Sequence, residues 1–428
     1  MGNSFDLIVS LARFGNDLFR EIRRDEVFQW FPPRLFLCPA SFMSCILNPS
    51  HSISKKMISL KRYTLLIILL SACILSTAQK RLKTPLAFVP ADSVVLWGES
   101  YNDLRGMALR VNKTLQARAV KPVGKAYKKA LKAWKEETLP TATLTGTCEK
   151  GLSERMLRNA LLIEQAGGLF LESADSRFMD LSERVLWGDL MREVISPSPV
   201  SFEKHTASQA LVDATGMIYA TSGENLWVNL FTNSTTHVLS DELNIIVDQM
   251  TGMPLEGRVK IRLTGYSRGR FHVRLHVRIP GWAVGRFEPK EKYAFSNDAK
   301  LDGVETGAAS PRTKTPTFYI NGRESLTSVV ENGYFVIDRT WNSGDEVMVE
   351  FSMLPYFVKE VGKGSASVAA CHLFRGVLEY VPQQSGKDFR LSPNVGLKET
   401  ESEDGVPLYE IKDAKENVVT FAPYISVW

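Results

Sequence analysis

The chain has 428 residues, of which 44% are hydrophobic, 10% aromatic and 23% charged, a composition that excludes disordered and fibrous proteins. Its length allows two or three domains of roughly 100–200 residues each. The net charge of +5 originates largely in the first 78 residues, which hold nine basic and five acidic side chains and leave 43 basic against 42 acidic in the rest. A nucleic-acid partner therefore has no electrostatic support.

An export signal is predicted at an internal position. From Met57 to Gln79, a basic pair precedes an apolar run from Leu65 to Leu70 and a series of small residues, the pattern of a secretory signal peptide. Because such signals act at a chain terminus, we interpret residues 57–78 as the signal and residues 1–56 as a non-native extension that adds nothing to the fold. The apolar run is shorter than the ~20 residues that span a bilayer, so no stable membrane span is expected after signal removal.

Two cleavage sites compete within this signal. Leu70-Ser71-Ala72 before Cys73 resembles a bacterial lipobox and would leave Cys73 lipidated, whereas Ser76-Thr77-Ala78 fits the ordinary signal peptidase, which we favour. The predicted location is periplasmic or secreted. The mature chain keeps Cys148 and Cys371, too few for a disulfide framework, and each is equally consistent with a buried apolar side chain.

Residues 79–200 are predicted to be mostly helical. The segment from Leu152 to Phe170 has apolar residues at helical spacing, with a capping residue at Ser153 and an interruption at Gly167-Gly168. The segment from Asp180 to Val194 repeats the pattern with one apolar stripe. Both are predicted amphipathic helices that need a partner surface.

After Pro199 the hydrophobic period changes to two. Apolar residues alternate with His272, Arg274, His276 and Arg278, which predicts a strand with one buried and one solvated face. We predict two antiparallel β-sandwich domains, one over residues 201–355, with strands from about residue 216 and a long polar loop insertion at 285–316, and one over residues 356–428. The predicted fold class is α+β and multidomain.

Six short sequences in the β region occur in a recognisable order. They are Gly216-Met217-Ile218-Tyr219-Ala220, Leu226-Trp227-Val228-Asn229-Leu230-Phe231, Gln249-Met250-Thr251 with Pro254, Arg278-Ile279-Pro280-Gly281-Trp282-Ala283, Asn332-Gly333-Tyr334 through Trp341, and Arg375-Gly376-Val377-Leu378-Glu379-Tyr380. Together they resemble the bacterial β-L-arabinofuranosidase family of glycoside hydrolases, the family 127 type. The similarity covers roughly Thr145 to Trp428, and the Glu183-Arg184 pair resembles the closing helix of that family's barrel.

The resemblance implies an (α/α)₆ catalytic barrel followed by two β-sandwich domains. It also implies a zinc ion held by cysteines and a glutamate, with one of those cysteines attacking the anomeric carbon. Zinc lowers the pKa of a thiol enough to give a thiolate at neutral pH, and a separate carboxylic acid protonates the leaving oxygen.

The chain departs from this pattern at three points. Where the family has Glu-Thr-Cys, the sequence is Gly146-Thr147-Cys148, so of the zinc cluster only Cys148 is retained. The family's adjacent cysteine pair should fall near Phe202-Glu203-Lys204, which contains no cysteine. Twelve helices need on the order of 200 residues, but only about 120 lie between Gln79 and Pro199. We therefore expect no zinc, a truncated barrel and impaired catalysis.

The remaining catalytic candidates each have a structural alternative. Cys148 and Glu149 combine a thiol with a carboxylate before a helix N-terminus, a setting that could lower the thiol pKa, but we favour the alternative of a buried cysteine and a helix-end carboxylate. Glu136 and Glu137 could supply the proton donor, or they could belong to a Lys-rich surface helix.

Histidine and tryptophan residues give no clear site. The histidines show no metal-ligand spacing, and His272 and His276 are predicted on a solvated or interdomain strand face. Tryptophan side chains could form a sugar-stacking platform, although core packing is the other interpretation. The tryptophans concerned are Trp134, Trp187, Trp227, Trp282 and Trp341, and the other histidines are His205, His237 and His372.

Three functional classes follow from this sequence. The first is an exported glycoside hydrolase acting on arabinose-containing plant glycans, and the second is a non-catalytic relative that binds carbohydrate or a partner through its sandwiches. The third is a scaffold subunit of a larger complex. Stoichiometric zinc would favour the first class over the others.

Overall fold

The structure is a computed structural model, and it describes residues 84–98, 104–148, 151–266, 269–298, 300–301, 316–325, 329–361, 371–383, 391, 395–412 and 417–426. The proposed signal, Cys73 and the extension before the signal lie outside the described residues. Glu149 also lies outside them. The described part contains helices and three β-sheets, so the chain is of mixed α+β class. None of the helices described is long and apolar enough to cross a membrane.

The helical region contains α-helices joined in two places by π-helical turns. The helices are α1 (Leu104–Val111), α2 (Tyr127–Ala133), α3 (Leu152–Ser173), α4 (Ser176–Val185), α5 (Met191–Ile195) and α6 (Phe202–Thr215). A π turn at Trp134–Thr138 follows α2, and another at Leu186–Leu190 joins α4 to α5. The predicted segment from Asp180 to Val194 is therefore helical throughout, but it bends at Gly188, whose φ of −98° and ψ of −114° are not helical.

Local capping explains where two of these helices begin. The Asp175 side chain accepts a hydrogen bond from the Arg177 amide at the start of α4, and the Ser201 side chain accepts one from the Lys204 amide at the start of α6. Each cap satisfies an amide that lacks a partner in the first helical turn.

The predicted interruption of α3 at Gly167-Gly168 is wrong, because the helix continues to Ser173. The two glycines instead allow close packing. A Cβ atom on Gly167 would lie 2.9 Å from Val120 Cγ1, and one on Gly168 would lie 3.0 Å from the Lys121 carbonyl oxygen. The segment around residues 120–121 therefore packs directly against the helix backbone, and the packing offsets the low helix propensity of glycine.

The strands form three sheets. Sheet I has the order β1-β3-β4-β8-β14-β13, sheet II the order β12-β11-β15-β7-β6-β5-β2, and sheet III the order β10-β19-β20-β21-β18-β17-β16-β9. Pairing is antiparallel except for β4 with β8 and β10 with β19. The strands are β1 (Ala87–Phe88), β2 (Val94–Leu96), β3 (Tyr219–Ser222), β4 (Asn225–Val228), β5 (Ser234–Leu239), β6 (Asn244–Thr251), β7 (Arg258–Gly265), β8 (Arg270–Arg278), β9 (Tyr293–Asp298), β10 (Lys300–Leu301), β11 (Thr317–Ile320), β12 (Arg323–Glu324), β13 (Val329–Glu331), β14 (Tyr334–Asn342), β15 (Asp345–Glu350), β16 (Tyr356–Glu360), β17 (Cys371–Arg375), β18 (Leu378–Pro382), β19 (Gly396–Glu401), β20 (Pro407–Lys412) and β21 (Val418–Pro423).

Side chains of sheets I and II meet in the core. The rings of Phe318 in β11 and Phe335 in β14 stack with centroids 3.6 Å apart. The hydroxyl groups of Tyr219 in β3 and Ser234 in β5 share a hydrogen bond of 2.9 Å, and Gln249 Nε2 in β6 donates to the Tyr219 hydroxyl at 3.3 Å. A buried polar network of this kind fixes the register between two sheets.

Four strands lie in two segments for which the sequence predicts no strands. In the region predicted as mostly helical, β1 pairs with β3 of sheet I and β2 pairs with β5 of sheet II. In the predicted loop insertion at 285–316, β9 pairs with β16 and β10 pairs with β19 of sheet III. All four strands pair with partners distant in sequence, and these strands are too short or too polar to show a period of two.

Candidate functional site

Cys148 ends a short hairpin between α2 and α3, which we call the cysteine hairpin (residues 141–148). The Thr143 amide donates to the Gly146 carbonyl at 2.8 Å, and the Cys148 amide donates to the Thr141 carbonyl at 2.9 Å. The Cys148 side chain is exposed and free. The thiol is therefore presented at the surface, and its predicted partner Glu149 lies outside the described residues.

The carboxylate of Asp189 occupies the space beside Gly146. A Cβ atom built on Gly146 would overlap this carboxylate, with Asp189 Cγ only 2.6 Å away and Asn159 Nδ2 2.9 Å away. Gly188 in turn lies close to the hairpin backbone, because a Cβ atom on Gly188 would lie 2.7 Å from Thr145 Cα. A side chain at 188 would force the two segments apart, because it would meet the Thr145 backbone, whereas one at 146 would displace the Asp189 and Asn159 side chains.

Asp189 is buried and contacts several parts of the chain. Its Oδ1 accepts hydrogen bonds from the Thr145 and Tyr424 hydroxyls, both at 3.1 Å. Its Oδ2 accepts one from Asn159 Nδ2 at 3.4 Å and lies 3.6 Å from Arg155 Nε. The carboxylate thus connects the cysteine hairpin, α3 and the C-terminal segment.

Three polar atoms around this cluster are buried and have no hydrogen-bond partner. They are Thr147 Oγ1, Asn159 Oδ1 and Arg155 Nε. Thr147 and Asn159 are 4% and 0% exposed, so bulk solvent does not reach these side chains directly.

The hairpin does not fit the zinc site that the resemblance implies. The position of the ligating glutamate is Gly146, and its side-chain space is filled by Asp189. Across the residues that the structure describes, no group of three or more His, Cys, Asp and Glu side chains could hold a metal ion. We therefore derive no chemical step through zinc.

A second group of titratable side chains lies on sheet III near the hairpin. Burial and the charge of Glu360 raise the pKa of Tyr293 to about 12, and the Cys148 thiol is close enough to add to this effect. His372 Nδ1 is 2.8 Å from Glu379 Oε1, and its Nε2 is 3.6 Å from Glu360 Oε1. Burial alone lowers the pKa of His372, but hydrogen bonding and charge from Glu379 raise it overall. This histidine is hydrogen-bonded to one carboxylate, Glu379, and lies within ion-pair distance of a second, Glu360.

Glu136 and Glu137 lie on the π turn after α2, and both are exposed. Glu136 Oε2 is 3.7 Å from Lys132 Nζ one turn earlier, and 62% of the Glu136 side chain is exposed. Among the described contacts, none joins either glutamate to Cys148. The surface-helix alternative accounts for this placement, and a proton-donor role for Glu137 stays a prediction.

The prediction of a solvated face on β8 holds for only half of the strand. The side chain of His272 is 41% exposed, whereas His276 is 5% and Arg278 0% exposed. Arg278 forms ion pairs with Asp180 at 2.8 Å and with Glu183, both on α4. Packing of α4 over this end of β8 explains the difference, and strand periodicity cannot show that a helix covers a sheet face.

The tryptophans predicted as either core or sugar platform are all buried. Trp134, Trp187, Trp227, Trp282 and Trp341 are between 0% and 8% exposed. Trp341 Nε1 donates to the Val273 carbonyl at 2.8 Å, and Trp282 Nε1 donates to Glu183 Oε2 at 3.3 Å. Their indole rings pack in the core and are not available as a stacking surface.

Comparison with known proteins identifies the class of this fold. Residues 225–353 match the family model for the middle domain of GH127 β-L-arabinofuranosidases. A solved GH127 β-arabinofuranosidase is 20% identical with a TM-score of 0.56, and the match covers 75% of this chain and 56% of that chain. A GH127 β-L-arabinofuranosidase from Geobacillus stearothermophilus T6 is 16% identical with a TM-score of 0.55, covering 76% and 57%. No curated protein matches the chain.

The fold is therefore similar to that of the solved GH127 structures. The match of residues 225–353 to the GH127 middle domain, together with these structures, confirms the resemblance predicted from the sequence. The chain spans a little more than half the length of these solved structures.

Proposed function

We propose that this protein is an exported relative of the GH127 β-L-arabinofuranosidases that acts on or binds an arabinose-containing plant glycan without the family's zinc–cysteine chemistry. The GH127 middle domain supports the carbohydrate ligand, since the proteins that share it are named for a sugar substrate. The signal pattern at residues 57–78 supports export. Mass spectrometry of the exported protein should give Gln79 as its first residue, and a lipidated Cys73 would assign the lipoprotein route instead.

The absence of the zinc–cysteine chemistry is proposed from the surroundings of position 146. The space where a side chain at position 146 would begin is filled by the Asp189 carboxylate, so the position cannot present a ligating carboxylate beside Cys148. A catalytic thiol is activated by a metal ion, a neighbouring base or a positive charge, and position 146 supplies no ligand that would hold such a metal.

The same proposal assigns the helices and sheets to domains. We take helices α1–α6 as the remainder of an α/α toroid, because amphipathic helices such as α3 and α4 pack together and cover one end of β8. Sheets I and II form the first sandwich, and sheet III belongs to the second. The side-chain contacts of Phe318 with Phe335 and of Tyr219 with Ser234 support the first sandwich.

A second function is a non-catalytic carbohydrate-binding or scaffold protein built on the sheets. It is favoured by the position of the family match, because residues 225–353 begin in β4 and lie almost entirely in the β region. The catalytic and non-catalytic alternatives differ in turnover, not in glycan binding.

The deciding experiment is an assay of the purified chain on an aryl β-L-arabinofuranoside with and without added zinc. We expect no zinc-dependent turnover and no stoichiometric zinc in the protein, while arabinose-containing glycans still bind. Cys148→Ala should leave both readouts unchanged, as should Cys371→Ala, the matched control at the buried free cysteine. Zinc-dependent turnover that Cys148→Ala abolishes would overturn the proposal.

A further inference from the structure

The cysteine hairpin is held by a carboxylate beside Gly146, the position to which the family resemblance assigns a zinc-ligating glutamate. A structural metal stabilises a loop by joining ligands from different segments. Asp189 joins segments in a comparable way, because its carboxylate contacts Thr145 in the hairpin, Asn159 and Arg155 in α3, and Tyr424 near the C-terminus. The Asp189 amide also donates to the Thr145 carbonyl at 2.9 Å.

We propose that Asp189 is the positioning residue of the cysteine hairpin and that it makes the place of Cys148 independent of any metal. The carboxylate and a side chain at 146 exclude one another, since a Cβ atom on Gly146 would overlap the Asp189 carboxylate. The carboxylate at 189 therefore requires glycine at 146, and we call these two residues a co-dependent pair. This proposal concerns the geometry of the hairpin and stands apart from whether the chain hydrolyses a glycoside.

A second contact fixes the other side of the hairpin. Lys292 Nζ donates to the Ala142 carbonyl at 3.2 Å, and the next residue, Tyr293, lies within electrostatic range of Cys148. The hairpin is thus attached to the helical region through Asp189 and to the start of β9 through Lys292. The Thr147 hydroxyl adds nothing to this attachment, because it is buried without a hydrogen-bond partner.

Hydrogen exchange of the full-length protein tests the proposal, with Asp189→Ala as the variant. Amides of the peptide at residues 139–148 should exchange about tenfold faster or more, because the hairpin opens more often when its charged acceptor is lost. Asp189→Asn, which keeps the side-chain size and an acceptor oxygen, should give an intermediate rate. Unchanged exchange in Asp189→Ala would overturn the proposal.

The matched control is Asp213→Ala. Asp213 is another carboxylate of the helical region, 13% exposed, and it accepts hydrogen bonds from the Arg118 amide and side chain. Its removal lowers overall stability but should leave exchange of the hairpin at the wild-type rate. Equal acceleration by both variants would mean that Asp189 acts only through global stability, which contradicts a positioning role.

Two further experiments distinguish stabilisation of the hairpin by the Asp189 carboxylate from stabilisation by a metal ion. A chelator should leave hairpin exchange in the wild-type protein unchanged, and acceleration by the chelator would overturn metal independence. Gly146→Ala should lower the denaturant midpoint in the wild-type background and have a smaller effect in Asp189→Gly, where the overlap with the carboxylate is gone and only the Asn159 contact remains. Equal losses in both backgrounds would contradict the co-dependent pair. Loss of glycan binding alone would count against the proposed function and not against this inference.

Discussion

His276 shows how burial changes the chemistry of a single residue. It lies in β8, 5% exposed, with its ring stacked on Trp227 at a centroid distance of 4.2 Å and its Nε2 donating to Asn225 Oδ1 at 3.1 Å. Burial, together with the charge of Arg274, lowers the pKa of His276 to about 3. The side chain is therefore neutral in the folded protein at every pH at which the fold is expected to persist.

This burial predicts a loss of stability in acid. In the unfolded chain His276 titrates near 6.5, so below that pH the unfolded state binds a proton that the folded state does not bind. The free energy of unfolding should fall by about 2 kcal/mol between pH 6.5 and pH 5 through this residue alone. Denaturant titrations of wild type and His276→Gln over this range measure the difference, and the variant should show the shallower pH dependence.

The control for this prediction is His272→Gln on the same strand, because the His272 side chain is 41% exposed. The decrease in pH dependence should be larger in His276→Gln than in His272→Gln. His372 acts in the opposite direction: its pKa is raised, so its contribution is present below pH 6.5 and is lost as the pH rises through its folded value. A His276→Gln variant with an unchanged pH profile would contradict the burial argument.

At the scale of single elements, the sequence predicts the helices and strands whose apolar residues follow a regular period. It does not predict strands that lack such a period. The strand at Phe271–Ile279 could be predicted because its apolar residues alternate, and α3 because its apolar residues follow a helical period. Strand β9 could not, because Tyr293 and Phe295 are its only large apolar residues and they lie within a polar, charged segment. The same limit applies to the site, since Gly146 indicated a lost ligand but nothing in the sequence connected it with Asp189, 43 positions away.

Strand β9 gives a direct test of this correction. Its residues Tyr293 and Ala294 pair with Glu360 and Lys359 of β16, and the Phe295 ring stacks on Tyr356 at 4.8 Å. Amides of residues 293–298 should exchange at least about tenfold more slowly than those of an unstructured peptide of the same sequence. Phe295→Ser should reduce this protection, whereas exchange at the unstructured rate in the wild-type chain would show that the segment is a loop.

At the scale of the whole molecule, residues 82–428 form one compact unit. Buried ion pairs between the helical region and sheet I hold this unit together. The Arg278 guanidinium pairs with Asp180 and Glu183 of α4, and Asp180 also accepts from Arg286 at 2.6 Å. At the C-terminus, the Arg192 guanidinium lies 4.2 Å from the centre of the Tyr424 ring. Because these contacts join helices to segments far along the chain, neither region is expected to retain its structure when the other unfolds.

Arg278→Met tests whether the junction stabilises the molecule as a unit. Removing one partner of a buried ion pair leaves the other charge without compensation and costs about 3–5 kcal/mol. We expect denaturation, followed by tryptophan fluorescence and far-UV circular dichroism, to remain a single transition at a lower midpoint. Arg258→Met is the control, because Arg258 pairs with Glu350 at the surface with 67% of its side chain exposed, and such pairs contribute about 0–1 kcal/mol. Two separate transitions in the wild-type chain, or equal losses in the two variants, would show that the helical region and the sheets are stabilised independently.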